Sequence, residues 1–397
     1  MPSSNTGIRS SVGSLAAHEH GGEGGTGGPE HAAPGRIMVP PGRKGPGHPL
    51  KRGGNQITEA GGAWMTGPEM AAARGGPGPT KRWVVGARPR TLPAAVVPVL
   101  VGTAAAHPLS PGLPTSYAAL THVVAPSLWD STWWRALGAL VVALALQVGT
   151  NYANDYSDGI RGTDDQRVGP VRLVASGLVS PQAVKRAALL AFGIAGGVGV
   201  ALAWATSWWV LAVGAACLAA GWFYTGGPRP YGYAGFGELF VFVFFGLVAT
   251  VGTYYVQTLR LGGGLVLSAS VAVGLLATAL LLANNLRDID TDLISGKRTL
   301  AARVGRRTAG WLYVACVVVP FLGVLGWGLL AATGAIAGQH PVFAFLPLLA
   351  LPLAIAPIRT VSGDATGRAL LPVLAATGRL QLVFGALLAG AVWLWAT

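Results

Sequence analysis

Charge is scarce in this chain. Lys, Arg, Asp and Glu make up 11% of the 397 residues, where a soluble domain carries about 25%, and an ordinary soluble domain is thereby excluded. Cysteine is nearly absent. Cys217 and Cys316 stand about a hundred residues apart, each inside an apolar block, which excludes a disulfide framework or a thiolate metal centre and leaves two small interior residues. Histidine is scarce where it would matter. Four of the seven fall in the first fifty residues, and His107, His122 and His340 belong to the side opposite the acidic motifs described below, so histidine catalysis and a zinc site are not expected. No apolar stretch of signal-peptide length occurs near the start, which argues against a cleaved leader.

Apolar residues are abundant, at 52% with a mean hydropathy of +0.51. From about residue 91 they come in blocks of about 17 to 25, the length that spans a bilayer as a helix. The expected fold is therefore an all-α polytopic membrane protein. About nine spans are predicted, near 91–107, 134–153, 183–206, 208–225, 237–256, 264–286, 309–332, 342–358 and 379–396. Residues 1–82 differ in composition, with Gly/Pro-rich stretches such as GGEGGTGG and PPGRKGPG. Such a segment buries too little apolar surface to offset its ordering entropy, so a disordered tail is expected, or upstream sequence ahead of a later start, with the transmembrane domain at 83–397.

The basic residues sort by side. Fifteen, from Arg161 to Arg379, fall in alternate connections, only Arg135 and Arg260 fall in the opposite set, and eleven lie between Arg9 and Arg90. The positive-inside rule then predicts a cytoplasmic N-terminus and an odd number of spans. The net charge of +13 and pI near 10.3 are largely topological and favour contact with anionic lipid. The basic residues form no known nucleic-acid-binding module, so no nucleic acid partner is expected, and no obligate protein partner is implied.

The acids are the most informative residues. Of ten beyond the tail, seven fall in two short segments, Asp155, Asp158, Asp164 and Asp165 in NYANDYSDGIRGTDD, then Asp288, Asp290 and Asp292 in NNLRDIDTDLISGKR. Four helices separate the ends of these segments, so both face the same side. Asn154 and Asp158 share a helical face, Asp155 is a near neighbour, and Asn284, Asp288 and Asp292 stack at i, i+4, i+8. Asp290 points away and is expected to be solvated, as is Asp165. Crowded carboxylates at the mouth of a helix bundle need a compensating cation. Mg²⁺ suits a few carboxylates plus water and substrate phosphate oxygens, whereas the loops lack the spacing for calcium. Arg161, Arg172, Arg287, Lys297 and Arg298 lie close by in sequence, and cations beside a metal make a site for a diphosphate. A transporter is the competing class. It would place charges at mid-membrane rather than at helix ends on one face.

The pair Asn154-x-x-x-Asp158 and Asn284-x-x-x-Asp288-x-x-x-Asp292 resembles the two aspartate-rich motifs of the UbiA-type intramembrane aromatic prenyltransferases. ARPRTLPAAVVPVLVGTA from Ala87, GPVRLVASGLVSP from Gly169, FYTGGPRPYGYAGFGELFVFVFFG from Phe223 and NNLRDIDTDLISGKRTLAARVG from Asn284 are similar to the branch of that family acting on 1,4-dihydroxy-2-naphthoate. The resemblance spans about residues 83–397. One departure is Gly162, where the wider family's first motif has a third acid; Asp164 follows instead, as in the naphthoate branch.

The resemblance implies a UbiA-type bundle around a central cavity, open laterally to membrane lipid, with both motifs at the cytoplasmic mouth; the Ala/Gly/Arg/Pro-rich composition suggests a high-GC bacterium, in whose plasma membrane the protein is expected. The resemblance implies transfer of a polyprenyl group from polyprenyl diphosphate to 1,4-dihydroxy-2-naphthoate, with loss of CO₂, giving demethylmenaquinone. Other acceptors of the family, such as 4-hydroxybenzoate, are the alternative. Residue by residue it implies Asn154, Asp158, Asn284, Asp288 and Asp292 around Mg²⁺, with Asp158, Asp288 and Asp292 catalytic and Asp155 and Asp164 in support. Arg161, Arg287, Arg172 and Lys297 would hold the diphosphate, and Tyr224, Arg229 and Tyr231 would meet the aromatic acceptor.

Overall fold

Helices account for most of the described residues in the computed structural model, which describes residues 78–106, 133–164, 169, 171–336 and 340–396. Most of the expected N-terminal tail therefore lies outside the described residues, as do Asp165, His107 and His122. The first helix begins at Pro79, four residues before the expected start of the domain.

The helices, in order, are α1 Pro79–Ala87, α2 Pro93–Ala106, α3 Trp133–Ile160, α4 Pro181–Ala205, α5 Trp209–Phe223, α6 Gly237–Val241, α7 Ala249–Thr258, α8 Gly264–Ile294, α9 Leu300–Ala332, α10 Leu351–Ser362 and α11 Leu371–Ala396. A π-helical segment, Phe242–Val248, joins α6 to α7, and a 3₁₀ segment, Pro341–Ala350, leads into α10.

Seven helical spans among the described residues are long and apolar enough to cross a membrane, and the count is eight if α1 and α2, bent by 55°, are one broken span. The expected fourth span is α5, which has 15 residues, about 22 Å at 1.5 Å per residue; alone it falls short of the roughly 30 Å hydrocarbon layer. The expectation of about nine thus differs in one short helix. Large apolar side chains such as Leu190, Trp204, Leu322 and Leu349 are exposed on the outer surface, as in a protein whose solvent is lipid, and the chain is a multi-pass membrane protein.

Two core clusters hold the bundle. The larger joins α2, α8, α9 and α11 through Val97, Leu276, Tyr313, Leu380 and Phe384, and Tyr313 and Thr377 satisfy one another's buried hydroxyls at 2.7 Å. The smaller joins α3, α4 and the loop after α3 through Tyr152, Leu173, Val184 and Phe192. Where the π-helical segment crosses α8, a Cβ on Gly246 would lie 2.6 Å from the Gly274 Cα, so two glycines are what let the backbones meet.

The main difference from the sequence expectation lies in helix length. Helices α3 and α8 run on to Ile160 and Ile294, well past their apolar parts, and have 28 and 31 residues. Both exceed the roughly 20 residues a bilayer requires, and their last turns carry the acidic motifs. Each ends in the same way. Gly162 has φ 68° and Gly296 has φ 74°, the left-handed conformation that glycine adopts without steric cost. Thr163 N–H then bonds the Asp158 carbonyl at 3.1 Å, and Lys297 N–H bonds the Asp292 carbonyl at 2.8 Å, which closes a Schellman cap. This gives a physical reason for Gly162, since an acid there would have to adopt the left-handed turn.

Candidate active site

The two capped helix ends converge on one cavity of about 910 Å³, lined at its polar end by Asn154, Asp158, Asn284, Asp288, Asp292, Arg172 and Lys297. Away from that end the walls are mainly apolar, supplied by α2 to α5, the π-helical segment and α7, with Val99, Val142, Leu211, Phe244 and Val256 among them. A polar mouth leading into an apolar chamber is the form a phosphate-headed hydrocarbon requires.

The caps set the side chains. After Gly296 the chain turns back, and Lys297 reaches across to α3, with Nζ 3.2 Å from Asp158 Oδ2 and 4.9 Å from the centre of the Tyr233 ring. Tyr233 Oη donates to the other Asp158 oxygen at 2.6 Å, and its own loop is tied to the α8–α9 connection by Arg298 N–H donating to the Tyr233 carbonyl at 3.0 Å. Burial and the Asp158 carboxylate hold the Tyr233 phenol above its ordinary value, so it stays a donor. Asn154 Oδ1 accepts from Thr225 Oγ1 at 2.8 Å. On α8, Arg287 grips Asp288 with Nε and Nη2, each at 2.6 Å, and Nη2 also donates to Asn284 Oδ1 at 2.7 Å.

Several residues expected at the site stand elsewhere. Asp155, fully buried, accepts the backbone N–H groups of Leu173 and Val174 at 2.9 and 3.0 Å and is not on the cavity wall. Asp164 holds Arg172, Nε to Oδ2, at 3.2 Å, so it positions a cation that does line the cavity. Arg161 donates to the carbonyls of Thr225 and Gly227 and lies over the Tyr233 ring, its guanidinium carbon 5.6 Å from the centre; it braces the loop that carries Thr225. Arg229 is exposed and off the cavity wall. Asp290 faces outward to Arg306 at 3.3 Å, in keeping with its expected solvated position.

Tyr224 and Tyr231 do line the cavity. They meet edge to face at 5.5 Å, and Tyr231 stacks on Phe240 at 4.0 Å, forming an aromatic wall beside the polar end. Burial raises the Tyr231 phenol as well.

Other polar residues on the cavity wall escaped the sequence reading. Gln147, Asn151, Asn154 and Asp158 follow at i, i+4, i+7, i+11 and make one polar stripe along α3, a signal present in the sequence. Gln147 and Asn151 bond Thr91 Oγ1 at 3.0 and 3.2 Å, and Asn151 bonds the Ala87 carbonyl at 2.9 Å, which fixes the α1–α2 bend against α3. Asn285 also lines the cavity, held by Glu238.

The donor set can be tested against a metal and a diphosphate. Among the described residues no three His, Cys, Asp or Glu side chains cluster closely enough to cage an ion. The carboxamide and carboxylate oxygens come from two helices on opposite sides of one polar space, which fits Mg²⁺, an ion that keeps several waters and shares phosphate oxygens. Arg172 Nη1 and Arg287 Nη1 are buried without a hydrogen-bond acceptor among the described residues. Buried guanidinium N–H groups lacking an acceptor suit an incoming anion.

Comparison with known proteins agrees with this chemistry. The model of the UbiA prenyltransferase family matches residues 95–364. A protein of Mycobacterium tuberculosis named 1,4-dihydroxy-2-naphthoate octaprenyltransferase is 47% identical over 311 residues, 78% of this chain and 96% of the relative. One of the same name from Escherichia coli is 35% identical over 75% of this chain and 90% of the relative. Among solved structures, a UbiA homologue from Archaeoglobus fulgidus bound to DMAPP and Mg²⁺ overlays with a TM-score of 0.49 at 16% identity, covering 78% of this chain and 98% of that one. With the family model matching well over half its length and both aspartate-rich motifs at one cavity, the chain belongs to the UbiA prenyltransferase family.

Proposed function

We propose that this protein transfers a polyprenyl group from polyprenyl diphosphate to 1,4-dihydroxy-2-naphthoate, releasing CO₂ and diphosphate and giving demethylmenaquinone in its hydroquinone form. The observation that carries the proposal is the meeting of Asn154 and Asp158 on α3 with Asn284, Asp288 and Asp292 on α8 at the polar end of an otherwise apolar cavity. The names of the two bacterial relatives support the naphthoate acceptor and a long isoprenoid donor.

The cavity's residues divide the work. Lys297 and Arg172, already at the polar end, and Arg287 beside Asp288 bind the diphosphate and spread its charge. Asn154, Asp158, Asn284, Asp288 and Asp292 would hold Mg²⁺, directly or through water, and the ion would supply Lewis-acid neutralisation of the negative charge on the departing diphosphate. The allylic C–O bond breaks with its electron pair going to the diphosphate. The ring carbon that bears the carboxylate, set against the Tyr224–Tyr231 wall, forms the new bond to the allylic carbon, and the carboxylate leaves that carbon as CO₂, returning its pair to the ring. The apolar walls keep water from the allylic cation in the interval, and no protein nucleophile is needed.

The same reading places the mouth and the N-terminus on the cytoplasmic side of a bacterial plasma membrane, on the side bias of Lys and Arg. The test is a product assay on purified protein in detergent, with a long-chain polyprenyl diphosphate, Mg²⁺ present or chelated, and dihydroxynaphthoate beside 4-hydroxybenzoate. Mg²⁺-dependent prenylated naphthoquinone with release of CO₂, and no product from hydroxybenzoate, is expected. Product from hydroxybenzoate alone, or none from either acceptor, would overturn the assignment.

A further inference from the structure

Glu238 is an acid that the mechanism above does not use. It sits in α6, 5% exposed, inside the apolar bundle. Its Oε1 accepts from Asn285 Nδ2 at 2.9 Å, and its Oε2 has no hydrogen-bond partner among the described residues. A buried carboxyl is costly, so its place next to one amide on the cavity wall calls for a reason.

The reason lies in the chemistry of the pair. A carboxylate only accepts, whereas a carboxamide has one donating and one accepting end. With its NH₂ committed to Glu238, Asn285 must turn its carbonyl Oδ1 the other way, and Asn285 lines the cavity. Glu238 thereby fixes which end of the amide a ligand meets. The aromatic wall is adjacent, since a Cβ on Gly237, next to Glu238, would come 3.4 Å from Tyr224 Oη.

We infer that Glu238 is a positioning residue that holds Asn285 Oδ1 as a hydrogen-bond acceptor for a hydroxyl of the aromatic substrate, and so selects for that hydroxyl. The inference rests on the proposed reaction. Diphosphate oxygens are acceptors and gain nothing from Oδ1, while the acceptor ring brings donors. In 1,4-dihydroxy-2-naphthoate the 1-hydroxyl donates to its own neighbouring carboxylate. The 4-hydroxyl is the donor left over, and it is the one assigned to Asn285.

The experiment pairs a variant with a substrate lacking that hydroxyl. In Glu238→Gln the new amide can donate as well as accept, which frees Asn285 to present NH₂ to the cavity. The apparent KM for 1,4-dihydroxy-2-naphthoate should rise about tenfold, the size of one buried hydrogen bond lost. The inhibition constant of 1-hydroxy-2-naphthoate and the KM for the prenyl diphosphate should stay within about twofold. The double variant E238Q/N285D places the amide behind and an oxygen in front, and should recover the wild-type preference for the dihydroxy compound; it carries the same test if E238Q fails to fold. An unchanged preference in E238Q, a parallel loss for both aromatics and the donor, a shift confined to the Mg²⁺ requirement, or no recovery in the double variant would each overturn the inference. Failure of the proposed reaction is distinguishable, because the wild-type protein itself would then make no product from dihydroxynaphthoate.

Discussion

Replacing Asp155 by asparagine separates a loop anchor from a metal ligand. Its neighbours in sequence, Asn154 and Asp158, face the cavity, but both Asp155 oxygens accept backbone N–H groups of the loop that follows α3, at 2.9 Å from Leu173 and 3.0 Å from Val174. That loop carries Arg172, which lines the polar end of the cavity. Asparagine keeps one accepting oxygen and turns an NH₂ toward the other N–H. One charge-assisted bond is lost and a buried donor is left unmatched, a cost of about 2 kcal/mol. The cost falls on local opening of the loop rather than on the whole bundle, so hydrogen exchange at Leu173 and Val174 should quicken about thirtyfold. Exchange measured by mass spectrometry on a peptide covering residues 171–179, in detergent, reads this directly. Turnover should fall through Arg172, with the KM for the prenyl diphosphate raised and the half-saturating Mg²⁺ concentration unchanged. A tenfold or larger shift in the Mg²⁺ requirement with unaltered exchange would refute the reasoning and return Asp155 to the metal.

Asp158→Asn and Asp288→Asn should each lower kcat at least about a hundredfold, because each removes a carboxylate that would hold Mg²⁺ and that pairs with a charged donor, Lys297 or Arg287, where transition-state charge develops, while elution in gel filtration stays that of the folded protein; substantial activity in both would remove them from the site. Arg229→Ala should leave kcat and both KM values within about twofold, since the side chain is exposed and off the cavity wall; a selective rise in the acceptor KM would contradict this. Gly246→Val should cost about 1–3 kcal/mol by overpacking against Gly274 and the Ser270 carbonyl, seen as a lower melting temperature in detergent. For Tyr233 the folded-state pKa is raised, so the stability it contributes is complete below the ordinary phenol value and is lost only as pH rises above it. The melting temperatures of wild type and Tyr233→Phe should therefore run parallel between about pH 7 and 9, and a divergence in that range would mean that the phenol ionises there.

Hydropathy and charge were enough to read most of the fold, because a bilayer leaves few ways to satisfy a backbone. Blocks of apolar residues had to be helices, and seven of the nine expected spans correspond to helices long enough to cross, with the bent α1–α2 pair an eighth if it is one span. Length was misjudged where polarity was taken as the end of a helix. The polar turns of α3 and α8 remain helical until Gly162 and Gly296, whose positive φ values stop them. Spacing grouped Asn154 with Asp158, and Asn284 with Asp288 and Asp292, since i, i+4 neighbours share a face wherever the helix goes, and the count of intervening spans put the two groups on one side, where both line the same cavity.

Proximity in sequence failed for residues whose orientation is set by tertiary partners. Asp155 and Asp158 are one turn apart on the same helix, yet one faces a loop and the other the cavity. Arg161 follows the first motif directly and Arg229 lies in the FYTGGPRPYGY stretch, and neither reaches the cavity wall; Lys297 does because the cap after α8 turns the chain back toward α3. Glu238 lay beyond any motif logic, as a lone acid in an apolar run such as GELFVFVFF reads only as a misfit until its partner is known. Its partner, Asn285, stands beside the first asparagine of the second motif, 47 residues away. Doubling that asparagine would be redundant if both faced the diphosphate. It makes sense if Asn284 serves the charged end of one substrate and Asn285, turned by Glu238, the hydroxyl of the other, so that one turn of α8 brings the two reactants to a common point.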